Sequence, residues 1–116
     1  MIRIVFLLRR RPGFSLDDFH AYWRDQHGPL VAFHQTRLGI QRYTQSHRLD
    51  DPLNDALARA RGGMEPPYDG VAELWWDDRD AFRADMKSDA ARVSTEDLAN
   101  FTSGFGLLFV EQHVVK

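Results

Sequence analysis

The 116-residue chain contains no cysteine, which excludes disulfide bonds, thiolate catalysis and thiolate metal sites. Its longest apolar runs, 4–8 and 104–110, are far too short to span a bilayer. A net charge of only -2 gives no reason to expect nucleic acid or an anionic membrane as a partner. The N-terminal arginines mostly follow the apolar run instead of preceding it, so it does not resemble a signal peptide, and we expect a cytoplasmic protein.

The usual motifs of metal and nucleotide sites are missing as well. His20, His27 and His34 are seven residues apart, which does not match a helical two-histidine metal site. A phosphate-binding glycine loop, a nucleophile elbow and a dinucleotide fingerprint are not found. The basic run Arg9–Arg11 is isolated and is interpreted as a solvated strand end. We therefore expect no metal and no cofactor.

What is present is an ordinary globular composition, with 43% hydrophobic and 28% charged residues. This length predicts one domain, residues 1–116, with one modest core. The most distinctive segment is a predicted helix that begins at Ser15, in a capping box, and ends at Gly28–Pro29. Within it, His27 follows Trp23 by one turn and lies on or beside the apolar stripe.

Four segments have the composition of β-strands, and helical segments lie between them. The segment Asp77–Asp80 offers an N-cap for a helix after the third strand, and Ser94–Asp97 resembles the capping box of a further helix. The order β-α-β-β-α-β predicts an α+β, ferredoxin-like fold: a four-stranded antiparallel sheet with helices on one face. The predicted strands are Ile2 to Arg10, Leu38 to His47, Gly70 to Trp76 and Phe105 to Val115.

Both faces of the first and last strands carry apolar side chains. On the first, Ile4 and Leu8 point one way and Val5 and Leu7 the other. Because the helices cover only one face, the second must meet a partner, and in a chain this small we expect a second copy of itself. The long connection 49–69, with a short predicted helix in 52–61 and a loop over 62–67, is either a lid or interface arm or a plain exposed loop.

Six segments follow one another along nearly the whole chain: Arg11–Ser15, Phe19–Trp23, His27–Leu30, Tyr43–His47, Tyr68–Trp76 and Glu111–Val115. Together they resemble the EthD domain family. The resemblance implies the ferredoxin-like fold and a dimeric α+β barrel in which two sheets face one another. Related proteins include lactone methylisomerases, polyketide cyclases and dehydratases, cofactor-free monooxygenases and, more distantly, haem-binding proteins.

His27 is the candidate catalytic acid/base, because an imidazole exchanges protons near neutral pH. A helix C-terminus would favour its protonated form, whereas burial beside Trp23 would favour the neutral form, and the sequence leaves this open. The alternative is a structural histidine that bonds its own helix end or packs in the core. The resemblance favours a role in a pocket.

The second strand supplies candidate partners for His27. Tyr43, Gln45 and His47 are two residues apart and share a face, so Tyr43 and Gln45 could bind a carbonyl or enolate oxygen. His47 is better explained as a residue of the solvated strand end.

Several other residues complete the predicted site or lie near it. Glu73 is either a base in an apolar setting or, preferably, an ion-pair partner of Arg3, Arg9 or Arg42. An aromatic wall of a pocket could be formed by Trp75, Trp76, Phe101, Phe105 and Phe109, although most aromatic residues of a small domain are simply core. Trp23 is a further candidate for substrate binding. Asn100 is expected to be an exposed residue at a helix end.

Taken together, the sequence predicts a homodimer in which each chain holds a pocket for a small hydrophobic molecule. The leading hypothesis is a cofactor-independent isomerase, cyclase or lyase acting by proton transfer on a hydrophobic or aromatic substrate. The alternatives are a non-catalytic carrier module, a cofactor-free monooxygenase or a haem-associated protein.

Overall fold

The computed structural model describes residues 1–63 and 66–116, without the side chain of Thr36. The first helical unit has three parts, in which a π-helical segment joins two α-helices. The elements are β1 Ile2–Arg10, α1 Leu16–Tyr22, the π segment Trp23–His27, α2 Gly28–Leu38, β2 Arg42–His47, α3 Leu53–Ala60, β3 Gly70–Trp76, α4 Arg79–Met86, α5 Asp89–Phe101 and β4 Thr102–Val110.

The four strands form one antiparallel sheet in the order β2-β3-β1-β4. Strands β1 and β3 are central, and Ile4 of β1 pairs with Leu74 on one side and Phe109 on the other. This order is that of the split βαβ arrangement, so the predicted ferredoxin-like fold is confirmed.

The predicted helix end at Gly28–Pro29 is wrong, because the helical run continues through both residues to Leu38. The backbone N–H of Gly28 donates to the carbonyl of Trp23, five residues earlier, which closes a π turn. Pro29 lies in the first turn of α2, where its fixed φ fits. His27 is therefore inside a long helical run, and the expected effect of a helix C-terminus on its imidazole does not apply.

Three other predicted boundaries also need correction. Gly39 ends α2 in the left-handed conformation, with φ of 66°, so β2 begins only at Arg42. Strand β4 begins at Thr102 and ends at Val110, which leaves 111–115 outside the sheet. The segment Ser94–Asp97 lies inside α5 and is not a capping box, because the helix is capped at Ser88.

The predicted cap at Ser15, the cap expected within Asp77–Asp80 and the short helix expected in 52–61 are confirmed. Ser15 caps α1 by accepting a hydrogen bond from the backbone N–H of Asp18 at 3.0 Å, and Asp78 caps α4 in the same way. The short helix expected in 52–61 is α3. The loop predicted over 62–67 includes residues 64 and 65, which lie outside the described residues. Across the described ranges, no helix is long and apolar enough to cross a membrane.

The hydrophobic core lies between the helices and one face of the sheet, as two clusters. One gathers around Ile4 and Trp76, and the other around Leu8, Trp23 and Phe101, each of which is at most 4% exposed. The other face carries the half-buried Val5 and Leu7 and the exposed Leu108.

The run Arg9–Arg11 is not the simple solvated strand end that we expected. The backbone N–H of Arg10 donates to Oδ2 of Asp69 at 2.7 Å, and its guanidinium donates to Oδ1 at 3.1 Å. Arg48 donates to the same Oδ1 at 3.1 Å. Asp69, 7% exposed, therefore ties the end of β1 to the segment that leads into β3.

Candidate functional site

A cavity of about 220 Å³ lies between the sheet and the helices. Its walls are mostly aliphatic and aromatic, and they come from β1, β2, β3, β4 and the helical elements around them. A largely apolar cavity with a few polar groups is the usual form of a small-molecule site. The polar side chains in the wall are His27, Tyr43, Asp85, Ser94 and Thr95.

His27 lies in the cavity wall, and a carboxylate that is not part of this wall binds its imidazole. Its Nδ1 is 2.8 Å from Oδ2 of Asp97, on α5. Oδ1 of Asp97 accepts two further hydrogen bonds, from the hydroxyl of Tyr22 at 2.7 Å and from Nδ2 of Asn100 at 2.9 Å. Asn100 is exposed, as expected, but it helps to position this carboxylate. No described residue forms a hydrogen bond with Nε2 of His27.

The charges of this pair follow from burial and hydrogen bonding. Burial lowers the pKa of His27, although the contact with Asp97 opposes that shift. Burial raises the pKa of Asp97, but the hydrogen bonds from Asn100, Tyr22 and His27 outweigh it and leave this pKa below its usual value. The arrangement favours a neutral imidazole whose proton is on Nδ1, with a free lone pair on Nε2. Burial thus decides the question that the sequence left open.

Tyr43 lies in the same wall and is held by Gln45. Nε2 of Gln45 donates to the Tyr43 hydroxyl at 2.8 Å and to the carbonyl of Trp23 at 2.9 Å. Because the Tyr43 oxygen accepts this bond, its own proton is available to a ligand. Burial raises the pKa of Tyr43, which keeps the phenol protonated. Gln45 positions Tyr43 through this hydrogen bond and is not itself part of the cavity wall.

The placement of His47 at a solvated strand end is wrong. Its ring stacks on Trp23, with centroids 4.5 Å apart and an interplanar angle of 11°, and it also lies 4.5 Å from the ring of His20. Nε2 of His47 is 2.8 Å from Oε1 of Gln45. Burial lowers the pKa of His47, and the neighbouring His20 and Arg24 lower it further. His47 therefore belongs to the network that positions Gln45.

Two glycines make this packing possible. A Cβ on Gly70 would lie 2.3 Å from the ring of Trp23, so only glycine lets the indole rest on this strand. A Cβ on Gly28 would lie 2.9 Å from Nε2 of Gln45. Both distances are shorter than a real Cβ tolerates. The absence of a side chain at Gly70 and Gly28 therefore lets Trp23 and Gln45 occupy these positions.

Asp85 is a cavity residue that the sequence analysis missed. It is 4% exposed, and its Oδ2 accepts a hydrogen bond from Nε1 of Trp76 at 2.8 Å. Burial raises its pKa to about 6, although hydrogen bonds from Trp76 and Ser88 oppose the shift. One signal was available: Asp85 follows Phe82 by three residues and so shares the apolar face of α4.

Asp97 was also missed, because its sequence was interpreted as part of a helix cap. It precedes Phe101 by one turn, and Phe101 is fully buried with its ring 5.0 Å from the ring of His27. That spacing places Asp97 on the inner side of α5. Near it, the Oγ of Ser94 is buried without a hydrogen-bond partner in the described ranges, which leaves a donor in the cavity wall unused.

The structure does not bring every predicted site residue into the cavity. Trp23, His27 and Tyr43 line it, and Phe101 packs behind His27. Glu73 and Trp75 are on the opposite face of the sheet, because they alternate along β3 with the cavity residues Ala72, Leu74 and Trp76.

The preferred structural role of Glu73 is confirmed. Its Oε2 lies 2.7 Å from a guanidinium nitrogen of Arg3, one of the three predicted partners. The guanidinium groups of Arg3 and Arg42 lie 5.5 and 5.0 Å from the centre of the Trp75 ring. Among the residues that the structure describes, no group of three histidine or acidic side chains is placed to hold a metal ion.

Comparisons with known proteins agree with this fold. The model of the EthD domain family matches residues 11–104. The dehydratase ustZ of Ustilaginoidea virens is 30% identical over 82 residues, which cover 69% of this chain and 58% of that protein. The chain therefore spans less than two thirds of the length of this relative.

Several solved structures share this fold. An EthD family protein of Bacillus halodurans has a TM-score of 0.71 at 18% identity, with 97% of this chain and 99% of that chain covered. A dimeric ferredoxin-like protein of unknown function from Bacteroides fragilis has a TM-score of 0.67 at 8% identity, with 96% and 95% covered. The cofactor-independent oxygenase SnoaB of Streptomyces nogalater has a TM-score of 0.61 at 17% identity, with 99% and 97% covered.

Proposed function

Because this chain belongs to the EthD domain family, we propose that it is a cofactor-independent enzyme that transfers protons on a small hydrophobic or aromatic substrate. The observation that carries the proposal is the contact of 2.8 Å between His27 and Asp97 in the wall of an apolar cavity. A carboxylate that holds Nδ1–H leaves Nε2 as the base, which is the arrangement that general-base catalysis needs. The 30% identical dehydratase is consistent with proton-transfer chemistry, and the cofactor-independent oxygenase SnoaB shares the fold.

The proposed reaction starts at a C–H bond next to a substrate carbonyl. Nε2 of His27 takes the proton, and the electrons of the C–H bond move to the carbonyl oxygen to form an enolate. The hydroxyl proton of Tyr43 donates a hydrogen bond to that oxygen, and the unused hydroxyl of Ser94 is a second donor in the same wall. Return of the proton to a different carbon completes an isomerisation.

Asp85 extends this scheme to elimination of water. A carboxyl group with a pKa of about 6 is partly protonated near neutral pH and can give its proton to a leaving hydroxyl. The enolate then collapses to an enone and water leaves, while the proton held by His27 returns to Asp85 through solvent. Two titratable groups with different environments in one cavity are what acid–base catalysis uses.

The cavity limits the size of the substrate. A cavity of about 150 Å³ can hold benzene, so a cavity of about 220 Å³ suits the body of a molecule with one or two rings.

We also propose that the active form is a homodimer whose partner covers the second face of the sheet, where Leu108 is 53% exposed.

The test uses two probes that need no cofactor. Exchange of the α-protons of 2-tetralone in D₂O is followed by NMR, and dehydration of 4-hydroxy-4-phenylbutan-2-one is followed by the absorbance of its enone product. We expect His27→Ala to lose about 100-fold or more of either rate, while the control His113→Ala, in the exposed tail, keeps it.

Equal rates in the wild type and a folded His27→Ala variant would remove His27 from catalysis. Probes that bind and are recovered without exchange or dehydration would instead favour a carrier. A Soret band in the purified protein would contradict a cofactor-independent enzyme.

A further inference from the structure

A second hollow adjoins the cavity on the β4 side of the sheet. It has a volume of about 290 Å³ and is lined by Ile4, Phe82, Leu107, Phe109, Arg79 and Arg83. Three of these residues, Ile4, Phe82 and Leu107, also line the main cavity. The two spaces therefore share an apolar wall, and the two arginines stand at the outer end of it.

The two arginines lie on one face of α4, because they are four residues apart. The guanidinium carbon of Arg79 lies 5.5 Å from the centre of the Phe109 ring, which holds the cation over the hollow. Both residues are exposed, and neither has a carboxylate within ion-pair distance in the part of the chain that the structure describes.

Five other arginines do have acidic partners, and Arg79 and Arg83 differ from the remaining exposed arginines in lying beside the apolar hollow. Ion pairs with carboxylates are formed by Arg3, Arg10, Arg24, Arg48 and Arg92. Two unpaired guanidinium groups beside an apolar cleft are complementary to a ligand with an apolar body and an anionic end.

We propose that Arg79 and Arg83 bind a carboxylate of the substrate, whose ring system extends past Phe82 into the main cavity. The substrate class is then an aromatic or polyketide-like carboxylic acid, held with its anionic end at the mouth and its carbonyl toward His27. That this ligand is a substrate rests on the proposed function, whereas its binding to the two arginines requires no turnover.

The test compares a carboxylate with its neutral ester. Binding of 2-naphthoate and of methyl 2-naphthoate is measured by calorimetry on the full chain, at low and high salt. We expect the wild type to prefer 2-naphthoate about tenfold or more, and Arg79→Gln/Arg83→Gln to lose this preference while still binding the ester. The preference should also weaken at high salt.

The control is Arg59→Gln/Arg61→Gln, which removes the same charge from the C-terminal end of α3. This helix follows β2, the edge strand opposite β4. This control variant should keep the wild-type preference for 2-naphthoate over its ester. A wild type that binds both ligands equally, or neither, would overturn the proposal, and so would an unchanged preference in Arg79→Gln/Arg83→Gln.

The two proposals fail separately. A protein that shows the arginine-dependent preference but no His27-dependent exchange of 2-tetralone retains this binding site and loses the enzymatic function. A protein that exchanges protons without preferring the carboxylate retains the function and loses the substrate class.

Discussion

Nδ1 of His27 lies 2.8 Å from Oδ2 of Asp97, although the two residues are 70 positions apart in the chain. One comes from the π segment and the other from α5, so the contact joins the two halves of the helical layer. It also orients the imidazole, because a hydrogen bond at Nδ1 leaves Nε2 as the unprotonated nitrogen.

Replacing Asp97 with Asn should therefore change both the protonation and the activity of His27. Because Asp97 raises the pKa of His27 against the effect of burial, we expect Asp97→Asn to lower that pKa further. The rate on either probe should fall about tenfold or more. Nitrogen-15 NMR of the imidazole measures the pKa and the tautomer, and wild-type His27 should show its proton on Nδ1. Asp89→Asn, at the exposed start of the same helix, is the matched control, and an equal loss there would count against a specific role for Asp97.

The pH dependence of the reaction has a defined direction. Burial lowers the pKa of His27 below 6.5, so the base is neutral at neutral pH and is lost only as the pH falls through that lower value. We expect the acid limb of kcat/KM to lie below pH 6.5, measured on 2-tetralone. An acid limb above pH 7 would contradict the assignment of this base.

The raised pKa of Asp85 predicts a contribution to stability that decreases as the pH rises. Its pKa is raised from 3.8 to about 6, so the folded state binds its proton more tightly than the unfolded state. Stability from this group is complete below pH 3.8 and is lost as the pH rises through 6. Relative to the wild type, Asp85→Asn should gain up to about 3 kcal/mol in free energy of unfolding between pH 4 and pH 7.5. Urea unfolding at several pH values measures this, and a difference that is independent of pH would show that Asp85 is not a buried titrating group.

The glycine contacts predict unequal effects of one added methyl group. Gly70→Ala places a Cβ 2.3 Å from the Trp23 ring, and we expect it to cost about 1–3 kcal/mol and to displace Trp23. Gly104→Ala, in β4, meets nothing within 4 Å and is the control. Thermal unfolding and tryptophan fluorescence report stability and packing. Similar losses in both variants would point to a general intolerance of alanine in the strands.

The second face of the sheet predicts the oligomeric state. Light scattering should give twice the mass of one chain for the wild type. Leu108→Glu should yield a monomer, because it places a charge on the face expected to be covered. Phe33→Glu, on α2, replaces a side chain that is 77% exposed and should leave the dimer intact. A wild-type monomer at micromolar concentration would refute the homodimer.

Local sequence patterns were enough to predict most of the fold. Strands β1 and β3 have the predicted bounds, the cap at Ser15 is where side-chain chemistry placed it, and the cap of α4 lies within the predicted segment Asp77–Asp80. These features depend on residues close together in the chain, so composition and spacing reveal them. The prediction that the helix ends at Gly28–Pro29 was wrong, because the same dipeptide suits both a helix terminus and the first turn of a new helix.

The candidate site was only partly predictable. The sequence singled out His27, because a titratable ring beside an apolar stripe is unusual, and Tyr43, because it shares a strand face with Gln45 and His47. It could not assign Asp97 to His27, since that contact depends on how α5 packs against the π segment.

The amino-acid sequence by itself determined the βαββαβ order, the apolar stripes and the family resemblance. All of these are written in residue types and short spacings. Only the tertiary structure decided that His27 is buried, that Asp97 holds its Nδ1, and that Asp85 shares its cavity while Glu73 does not. The physical reason is that pKa values and hydrogen-bond partners depend on which surfaces lose water, and that is set by packing between segments far apart in the chain.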